Sequence, residues 1–225
     1  MYAGLLLPPY TCCAAISTRR AKTGGGGGSV CVVRDAGALR RAVADASAAV
    51  VELDPAGAFE LDEPLRIGRA VRLQSGAGGR ATLRGGAKSG YVAISVMADG
   101  VALVGLGVVA GTDSSGDQQV AVDIHQAAAR CVVSGCDLEG RVRVYGDGEV
   151  CDCVVHDVSY GPGINVDGER GKGTLTLRRT VVERCASHGV RAFGKAVVTV
   201  MEGVVVRECK GGDFYEDGGG TIVRQ

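Results

Sequence analysis

The sequence has few aromatic residues and no dominant charge. Aromatics make up 4% of the 225 residues, tryptophan is absent, and 25 basic side chains balance 25 acidic ones. Without an excess of positive charge, we expect neither a nucleic acid nor an anionic membrane as partner. No apolar run reaches the ~20 residues of a membrane-spanning helix, which adds to the case against a membrane partner.

The nine cysteines lack the pattern of a disulfide framework or a zinc site. Their number is odd, several lie in valine-rich segments such as 131–133, and the paired CxxC blocks of zinc-binding domains are missing. We therefore predict free thiols that pack as small hydrophobic side chains. The sequence predicts no metal site and no resident cofactor, with calcium the one ion left open.

Glycine and valine are abundant instead. Glycine accounts for 37 residues without a Gly-X-Y period, which excludes collagen and favours short strands separated by tight turns. Only one helix is predicted, over residues 36–49, with Asp35 as its N-cap. The apolar face of this helix is formed by Leu39, Ala42, Val43 and Ala46.

The first 29 residues differ in composition from the rest of the chain. They contain an apolar patch at 4–7 and an unbroken glycine run at 24–28, and we predict a disordered tail or leader over 1–29 that ends in a flexible linker. The basic pair Arg19-Arg20 follows the apolar patch, whereas a secretory signal peptide carries its positive charge in front. A cytoplasmic location is therefore favoured over secretion. Residues 30–225 are predicted to form one domain.

Strand-like segments recur along this domain in two interleaved series. One series consists of segments 122–125, 142–145, 164–167, 190–193 and 212–215. The other passes through Leu103, Val133, Val150, Leu177 and Val200. Members of each series are separated by roughly 20–30 residues, which is in the range of solenoid repeats.

The repeat predicts a solenoid. A unit of short strands cannot bury its hydrophobic side alone, so it must stack on its neighbours. Parallel stacking places equivalent residues about 4.8 Å apart, whereas a propeller blade would need about 40 residues per repeat. The predicted fold is therefore all-β: a parallel β-helix of about seven coils with a short N-terminal capping α-helix.

The opening of the domain points to a family. After the predicted helix come four strand-like segments, at 50–55, 63–67, 71–74 and 81–85. Together with the helix they resemble the start of right-handed parallel β-helix proteins of the pectate-lyase-like superfamily. The resemblance implies a capping helix and a right-handed coil of three strands per turn. The group includes many sugar-processing proteins and some F-box proteins. If the chain is catalytic, β-elimination as in the pectate lyases is one mechanism that fits, and in that family an arginine or lysine often serves as the base.

Stacking the first series turns its residues into columns. Strand alternation points one set inward, namely Ile124, Val144, Val166, Ala192 and Phe214. One outward column is predicted to contain Asp123, Arg143, Asn165, Arg191 and Asp213. The next is predicted to contain His125, Tyr145, Asp167, Phe193 and Tyr215. We call these ten side chains the outward columns.

The mixture of groups in the outward columns suits an acidic saccharide. Rings stack on a pyranose, carboxylates and amides hydrogen-bond its hydroxyls, and an arginine holds a uronate carboxylate through paired hydrogen bonds. Catalytic roles are assigned to Arg143, Asp167 and Arg191. Substrate binding is assigned to Asp123, His125, Tyr145, Asn165, Phe193, Asp213 and Tyr215. The predicted function is recognition of an acidic polysaccharide, with lyase-like processing at most.

Glycoside hydrolysis is the other catalytic option. Asp167 and Asp213 would lie about 9.6 Å apart, two coils along an ideal stack, which fits the separation in inverting enzymes only loosely. Segments 165–168 and 187–189 resemble pieces of the polygalacturonase signature, but the Asp-Asp of that family is missing. The lyase is therefore favoured, and His188 is predicted to be a turn residue.

Non-catalytic interpretations stay open. Alternating acids and arginines would also neutralise one another and keep a long sheet soluble, and the rings would form an aromatic ladder. The chain would then be a scaffold for a protein partner, a structural spacer or a truncated enzyme homologue. The strand-like segment 221–225 predicts a sheet edge through which a homo-oligomer would form. His156, near Asp152 and Asp157, is interpreted as a solvent-facing residue at a coil corner.

Overall fold

The computed structural model describes residues 29–86, 92–111, 120–171 and 173–225. This part of the chain contains one helix and 22 strands. In chain order they are β1 (Ser29–Asp35), α1 (Ala36–Ala44), β2 (Ala48–Leu61), β3 (Leu65–Ile67), β4 (Arg72–Ser75), β5 (Thr82–Gly85), β6 (Val92–Val96), β7 (Ala102–Val104), β8 (Gly107–Val109), β9 (Val120–Ile124), β10 (Cys131–Ser134) and β11 (Asp137–Glu139). They continue with β12 (Arg141–Val144), β13 (Asp147–Cys151), β14 (Val154–Val158), β15 (Ile164–Asp167), β16 (Thr174–Arg178), β17 (Val181–Cys185), β18 (Val190–Phe193), β19 (Val197–Val200), β20 (Val205–Arg207), β21 (Phe214–Asp217) and β22 (Thr221–Arg224).

The strands form three faces of a parallel solenoid with about eight turns. The first face contains the start of β2 and then β4, β7, β10, β13, β16, β19 and β22. The second face contains the end of β2 and then β5, β8, β11, β14, β17 and β20, and the third face contains β3, β6, β9, β12, β15, β18 and β21. The predicted all-β parallel solenoid with a single short helix is therefore confirmed. Its right-handedness and its exact number of coils, predicted as about seven, stay predictions.

The predicted series are preserved over most of the solenoid. Leu103, Val133, Val150, Leu177 and Val200 stack directly on one another on the first face. On the third face, the segments beginning at Val122, Val142, Ile164 and Val190 pair in register. The last segment is different, because β21 pairs Phe214 with Val190 and Tyr215 with Arg191. The predicted alignment of 212–215 is thus wrong by two residues.

The register error has a local cause. Gly212 and Asp213 belong to the turn before β21, where their carbonyls accept hydrogen bonds from Gly189 N–H at 3.0 Å and Val190 N–H at 2.9 Å. Gly212 adopts a φ of 100°, which favours glycine. Since side chains alternate with a period of two, a shift of two residues leaves the inward and outward pattern unchanged. Phe214 therefore still points inward.

The helix begins where predicted and ends earlier. Asp35 is its N-cap and accepts a hydrogen bond from Ala38 N–H at 2.7 Å. The helix stops at Ala44 because Asp45 turns the chain, accepting hydrogen bonds from the N–H and hydroxyl of Ser47 at 2.9 and 2.8 Å. The predicted extension to residue 49 is wrong, since β2 has begun by then.

The helix packs against the first turns and is held at both ends. Leu39, Ala42 and Val43 are buried as predicted, whereas Ala46 lies beyond the helix and is exposed. The Arg69 guanidinium donates to the carbonyls of Ala42 and Val43 at 2.9 and 2.7 Å. It thereby satisfies acceptors that a helix C-terminus leaves unpaired.

Apolar columns fill the interior. Ile124, Val144, Val166 and Ala192 have 0% exposure, which confirms that these positions point inward, and Phe214 is partly buried against the same core. Each fully buried aliphatic side chain contributes about 1.5–3 kcal/mol, so stacked columns hold neighbouring turns together. The seven described cysteines are free thiols, as predicted. The predicted tail, with Cys12 and Cys13, lies outside the described residues except for Ser29, which begins β1.

Candidate functional site

The predicted outward columns lie on the third face, but the last residue of each column differs from the prediction. Asp123, Arg143, Asn165 and Arg191 stack on consecutive turns, and the next residue in this column is Tyr215. Asp213 is exposed in the preceding turn. Its place in the column, and the predicted pairing of Asp167 with Asp213, are therefore wrong because of the two-residue register error.

The second outward column contains Asp167, Phe193 and then Asp217, where Tyr215 was expected. Asp167 accepts a hydrogen bond from Glu169 N–H at 2.9 Å, so one of its carboxylate oxygens is used by the local turn. His125 and Tyr145 lie directly after β9 and β12 and are half-buried. These residues line the third face but do not converge on one point.

The positive charge of Arg143 is neutralised by Asp123. Its Nε and Nη2 donate to the two carboxylate oxygens of Asp123 at 2.9 and 3.1 Å, and the Asp123 side chain is only 9% exposed. Burial lowers the pKa of Arg143, but the hydrogen bonds to Asp123, together with the charge of Asp123 and other nearby groups, raise that pKa above its ordinary value. A guanidinium held in this way is a poor proton acceptor, which argues against Arg143 as the base of a lyase.

Only part of the Arg191 guanidinium has a hydrogen-bond partner. Its Nη2 donates to Asp217 at 2.6 Å. Its guanidinium carbon lies 4.7 Å from the Phe193 ring centroid and 6.0 Å from that of Tyr215, which are cation–π distances. Its Nε is buried and has no hydrogen-bond partner. Arg191 therefore has one donor to spare.

Four buried side-chain atoms in the described part of the chain lack a hydrogen-bond partner: Arg141 Nε, Asn165 Oδ1, Arg178 Nε and Arg191 Nε. Arg178 lies on the first face with its Nε 3.2 Å from Glu149 Oε1, so its charge is compensated. The other three atoms belong to the third face. On this face two Nε–H donors therefore lack an acceptor. Each unpaired buried polar group costs about 1–3 kcal/mol.

Arg141 was not among the predicted site residues. It begins β12, and none of the described carboxylates forms an ion pair with it. Burial, followed by the positive charge of Arg143, lowers its pKa. Its Nη1 lies against Gly161, where an added Cβ would come within 2.9 Å. Arg141 is therefore a half-buried cation that forms no ion pair with the carboxylates of the described residues.

An open cavity of about 500 Å³ lies next to these arginines. Its walls are the turns that lead from the second face to the third, and its lining includes Arg141, Tyr160, Ser187, His188, Arg191 and Tyr215. His188 stacks on Tyr215 with ring centroids 4.3 Å apart and an interplanar angle of 11°. The Ser187 hydroxyl lies 3.1 Å from His188 Nδ1. The cavity thus combines two cations with a flat aromatic surface.

Apart from Arg141, which begins β12, the cavity residues missed by sequence reasoning lie on these turns. His188 is in a turn, as predicted, but it also lines the cavity. A usable signal was the glycine at the same place in successive turns, Gly163 and Gly189. A Cβ at Gly163 would lie 2.6 Å from Val182, and one at Gly189 would lie 2.1 Å from Val206. The backbone of these turns therefore packs directly against the core. The residues before each glycine lie along one edge of the third face.

On the second face, His156 is fixed between two carboxylates. Its Nδ1 lies 2.7 Å from Asp157 and its Nε2 lies 2.9 Å from Asp137. The solvent-facing interpretation is therefore wrong. Asp157 adopts a φ of 54°, which breaks strand alternation and brings neighbouring side chains together. Asp152 pairs with Arg179 instead, at 2.6 Å.

The described residues offer no cluster of His, Cys, Asp or Glu suited to a metal ion, and calcium stays a prediction. Within the same residues, no helix has the length and apolar character to cross a membrane.

Comparison with known proteins adds no relative. No family model, curated protein or solved structure matches the chain. Function is therefore argued from the geometry of the third face.

Proposed function

We propose that the third face recognises an acidic polysaccharide and holds one sugar carboxylate in the cavity between Arg141 and Arg191. The observation that carries the proposal is the pair of buried Nε–H groups without an acceptor. A carboxylate accepts charge-assisted hydrogen bonds from guanidinium groups and would remove the cost of leaving these donors unpaired. The resemblance to the pectate-lyase-like superfamily favours the same class of ligand.

The surroundings of the cavity suit the rest of a sugar. The stacked rings of His188 and Tyr215 offer a flat surface for the apolar side of a pyranose. The unpaired Asn165 Oδ1 is an acceptor for a hydroxyl. Successive turns are about 4.8 Å apart, so the outward columns from Tyr145 to Tyr215 are long enough to contact more than one sugar unit.

Processing, if it occurs, would be lyase-like. In β-elimination a base removes the proton next to the carboxylate, a carbon–carbon double bond forms, and the glycosidic oxygen leaves. Arg143 is occupied by Asp123, so Arg191 is the predicted catalytic arginine that still borders the cavity. His188 is the second group there that could accept the proton, because histidine is the commonest general base.

The test is binding of polyuronate and neutral glucan oligosaccharides, with and without calcium, measured by calorimetry. The Arg141→Met/Arg191→Met variant is expected to lose uronate binding by at least about tenfold, since hydrogen bonds to charged groups contribute about 1.5–3 kcal/mol. Arg184→Met, on the second face, is the matched control and should bind like the parent chain. Equal affinity of both variants would refute the proposal. Rising ultraviolet absorbance of unsaturated sugar ends would show a lyase.

A non-catalytic scaffold for a protein partner is the second candidate. It is favoured by the pairing of Arg143 with Asp123 and of Arg191 with Asp217, which leaves much of the third face neutral. A folded chain that binds neither class of glycan would support it. The truncated homologue and the homo-oligomer stay alternatives to be checked by the mass of the particle in solution.

A further inference from the structure

Two cysteines of the last turns lie directly above one another. Val181, Val182 and Glu183 of β17 pair with Val205, Val206 and Arg207 of β20. Two residues further on, the same register places Cys209 one turn above Cys185, and Lys210 N–H donates to the Cys185 carbonyl at 3.0 Å. In-register neighbours have Cα atoms about 4.8 Å apart, within the range of about 4.4–6.8 Å that a disulfide spans.

The two sulfur atoms lie at corresponding places of neighbouring turns. Each Sγ lies near the carbonyl two residues before it, at 3.6 Å for Glu183 and 3.3 Å for Arg207. An added Cβ at Gly163 would lie 2.7 Å from Cys185 Sγ, and one at Gly189 would lie 3.3 Å from Cys209 Sγ, so both thiols pack against the glycine turns in the same corner of the solenoid. Burial, and then the neighbouring Cys209, raises the pKa of Cys185, which disfavours the Cys185 thiolate.

A second stacked pair provides a natural comparison. Cys136 and Cys153 also lie on neighbouring turns, with Cys136 N–H 3.4 Å from Cys153 Sγ. Both are 1% exposed. In contrast, Cys185 is 1% exposed while Cys209 is only half-buried. A reagent can therefore reach the Cys185–Cys209 pair through Cys209, whereas both thiols of the Cys136–Cys153 pair are buried.

We propose that Cys185 and Cys209 are an oxidisable dithiol whose disulfide joins the last two turns of the solenoid. The Cys209 thiolate attacks a small external disulfide such as glutathione disulfide and releases one thiol. The Cys185 thiolate then attacks Cys209 in the mixed disulfide and releases the second thiol. The protein loses two protons and two electrons, and the external disulfide is reduced to two thiols.

The crosslink would act where the solenoid is least buried. Val206 and Phe214 of the last turn are only partly buried, so this turn depends on its pairing with the turn below. The sulfur atoms also touch the turns that carry the cavity, since an added Cβ at Gly163 would lie 2.7 Å from Cys185 Sγ. We expect oxidation to raise the midpoint of thermal unfolding by several degrees.

The experiment uses the full chain with Cys12→Ser and Cys13→Ser, which removes the two thiols outside the described residues. After incubation with glutathione disulfide, remaining thiols are alkylated and peptides are mapped by mass spectrometry. The expected product links 185 to 209 and leaves Cys136 and Cys153 alkylated. In Cys185→Ser, the reaction should stop at glutathione attached to Cys209, and in Cys209→Ser, Cys185 should stay alkylated.

Three results would overturn the proposal: glutathione retained on Cys209 while Cys185 is still alkylated in the parent chain, a link between Cys136 and Cys153 in its place, or no modification of either residue. The serine variants are checked by circular dichroism. If they do not fold, peptide mapping of the parent chain decides the matter without them.

Discussion

The second and third faces use the same residue types but pair them differently. On the second face a continuous chain of contacts links Arg80, Asp137, His156, Asp157, Arg184, Glu183 and Arg207. On the third face Arg143 has a carboxylate, while Arg141 and Arg191 each keep a buried Nε–H without an acceptor. The two faces therefore differ less in their residue types than in whether each buried guanidinium donor has an acceptor.

The largest effect on stability is expected from breaking the second-face chain at Glu183. This carboxylate is 8% exposed and contacts both Arg184 and Arg207. Glu183→Gln should lower the free energy of unfolding by about 1–3 kcal/mol, because it leaves charged donors without their acceptor. Denaturation in urea measures the change. Glu149→Gln, which affects the more exposed pair with Arg178, should lose at most about 1 kcal/mol.

Removing the cation Arg141 from the third face is expected to cost no stability. Arg141→Met keeps the long apolar stem and removes the unpaired Nε–H, so the free energy of unfolding should stay the same or rise by up to about 1 kcal/mol. The same urea series measures it. A loss as large as that of Glu183→Gln would show that Arg141 is part of the stabilising framework, and the contrast between the two faces would disappear.

Acid should weaken the second face specifically. The hydrogen bond from Arg184, followed by that from His156, holds the pKa of Asp157 well below its ordinary value. Because the folded-state pKa is depressed, the stabilisation is present above the unfolded value of about 3.9 and is lost as pH falls below it. The Asp157 side chain is 48% exposed, so the loss is modest. Asp157→Asn should lose less stability than the parent between about pH 5 and about pH 3, and parallel curves of unfolding free energy against pH would contradict this assignment.

The smallest effect is expected at a left-handed backbone position. Asp157, Arg184 and Glu208 occupy equivalent places with φ of 54°, 53° and 57°. Arg184 pairs with Asp157 at 2.6 Å, so glycine at 184 should destabilise. Glu208→Gly should instead raise the free energy of unfolding by at most about 1 kcal/mol, because relief of the backbone outweighs the added chain entropy. A lower unfolding midpoint for Glu208→Gly would count against this explanation.

The stacked columns could be predicted because burial imposes the same alternation on every turn. Val133, Val150 and Leu177 are separated by loops of unequal length, yet each must point inward for its turn to pack. The same alternation cannot detect a shift of two residues, which is why Asp213 was assigned to the column that Tyr215 occupies. The turn before β21 contains Gly212 with a φ of 100°, a backbone conformation that hydrophobic patterning does not report.

The cavity was only partly predictable. Arg191 and Tyr215 followed from their place on the third face. Arg141 lies two solenoid turns below Arg191, and His188 contacts Tyr215 of the next turn. Local rules also fail where the backbone is left-handed, because Asp157 then lies beside His156 in place of pointing away from it. Both failures concern contacts between turns, which a single repeat unit does not encode.

The most direct test observes the arginine Nε–H groups themselves. In a ¹⁵N-labelled chain, a uronate oligosaccharide is titrated while the Nε–Hε resonances are followed by nuclear magnetic resonance. The account predicts that the signals of Arg141 and Arg191 shift together with one midpoint, while those of Arg143 and Arg184, already paired, stay in place. Unshifted Arg141 and Arg191 signals at saturating uronate, or equal shifts with a neutral glucan, would contradict it.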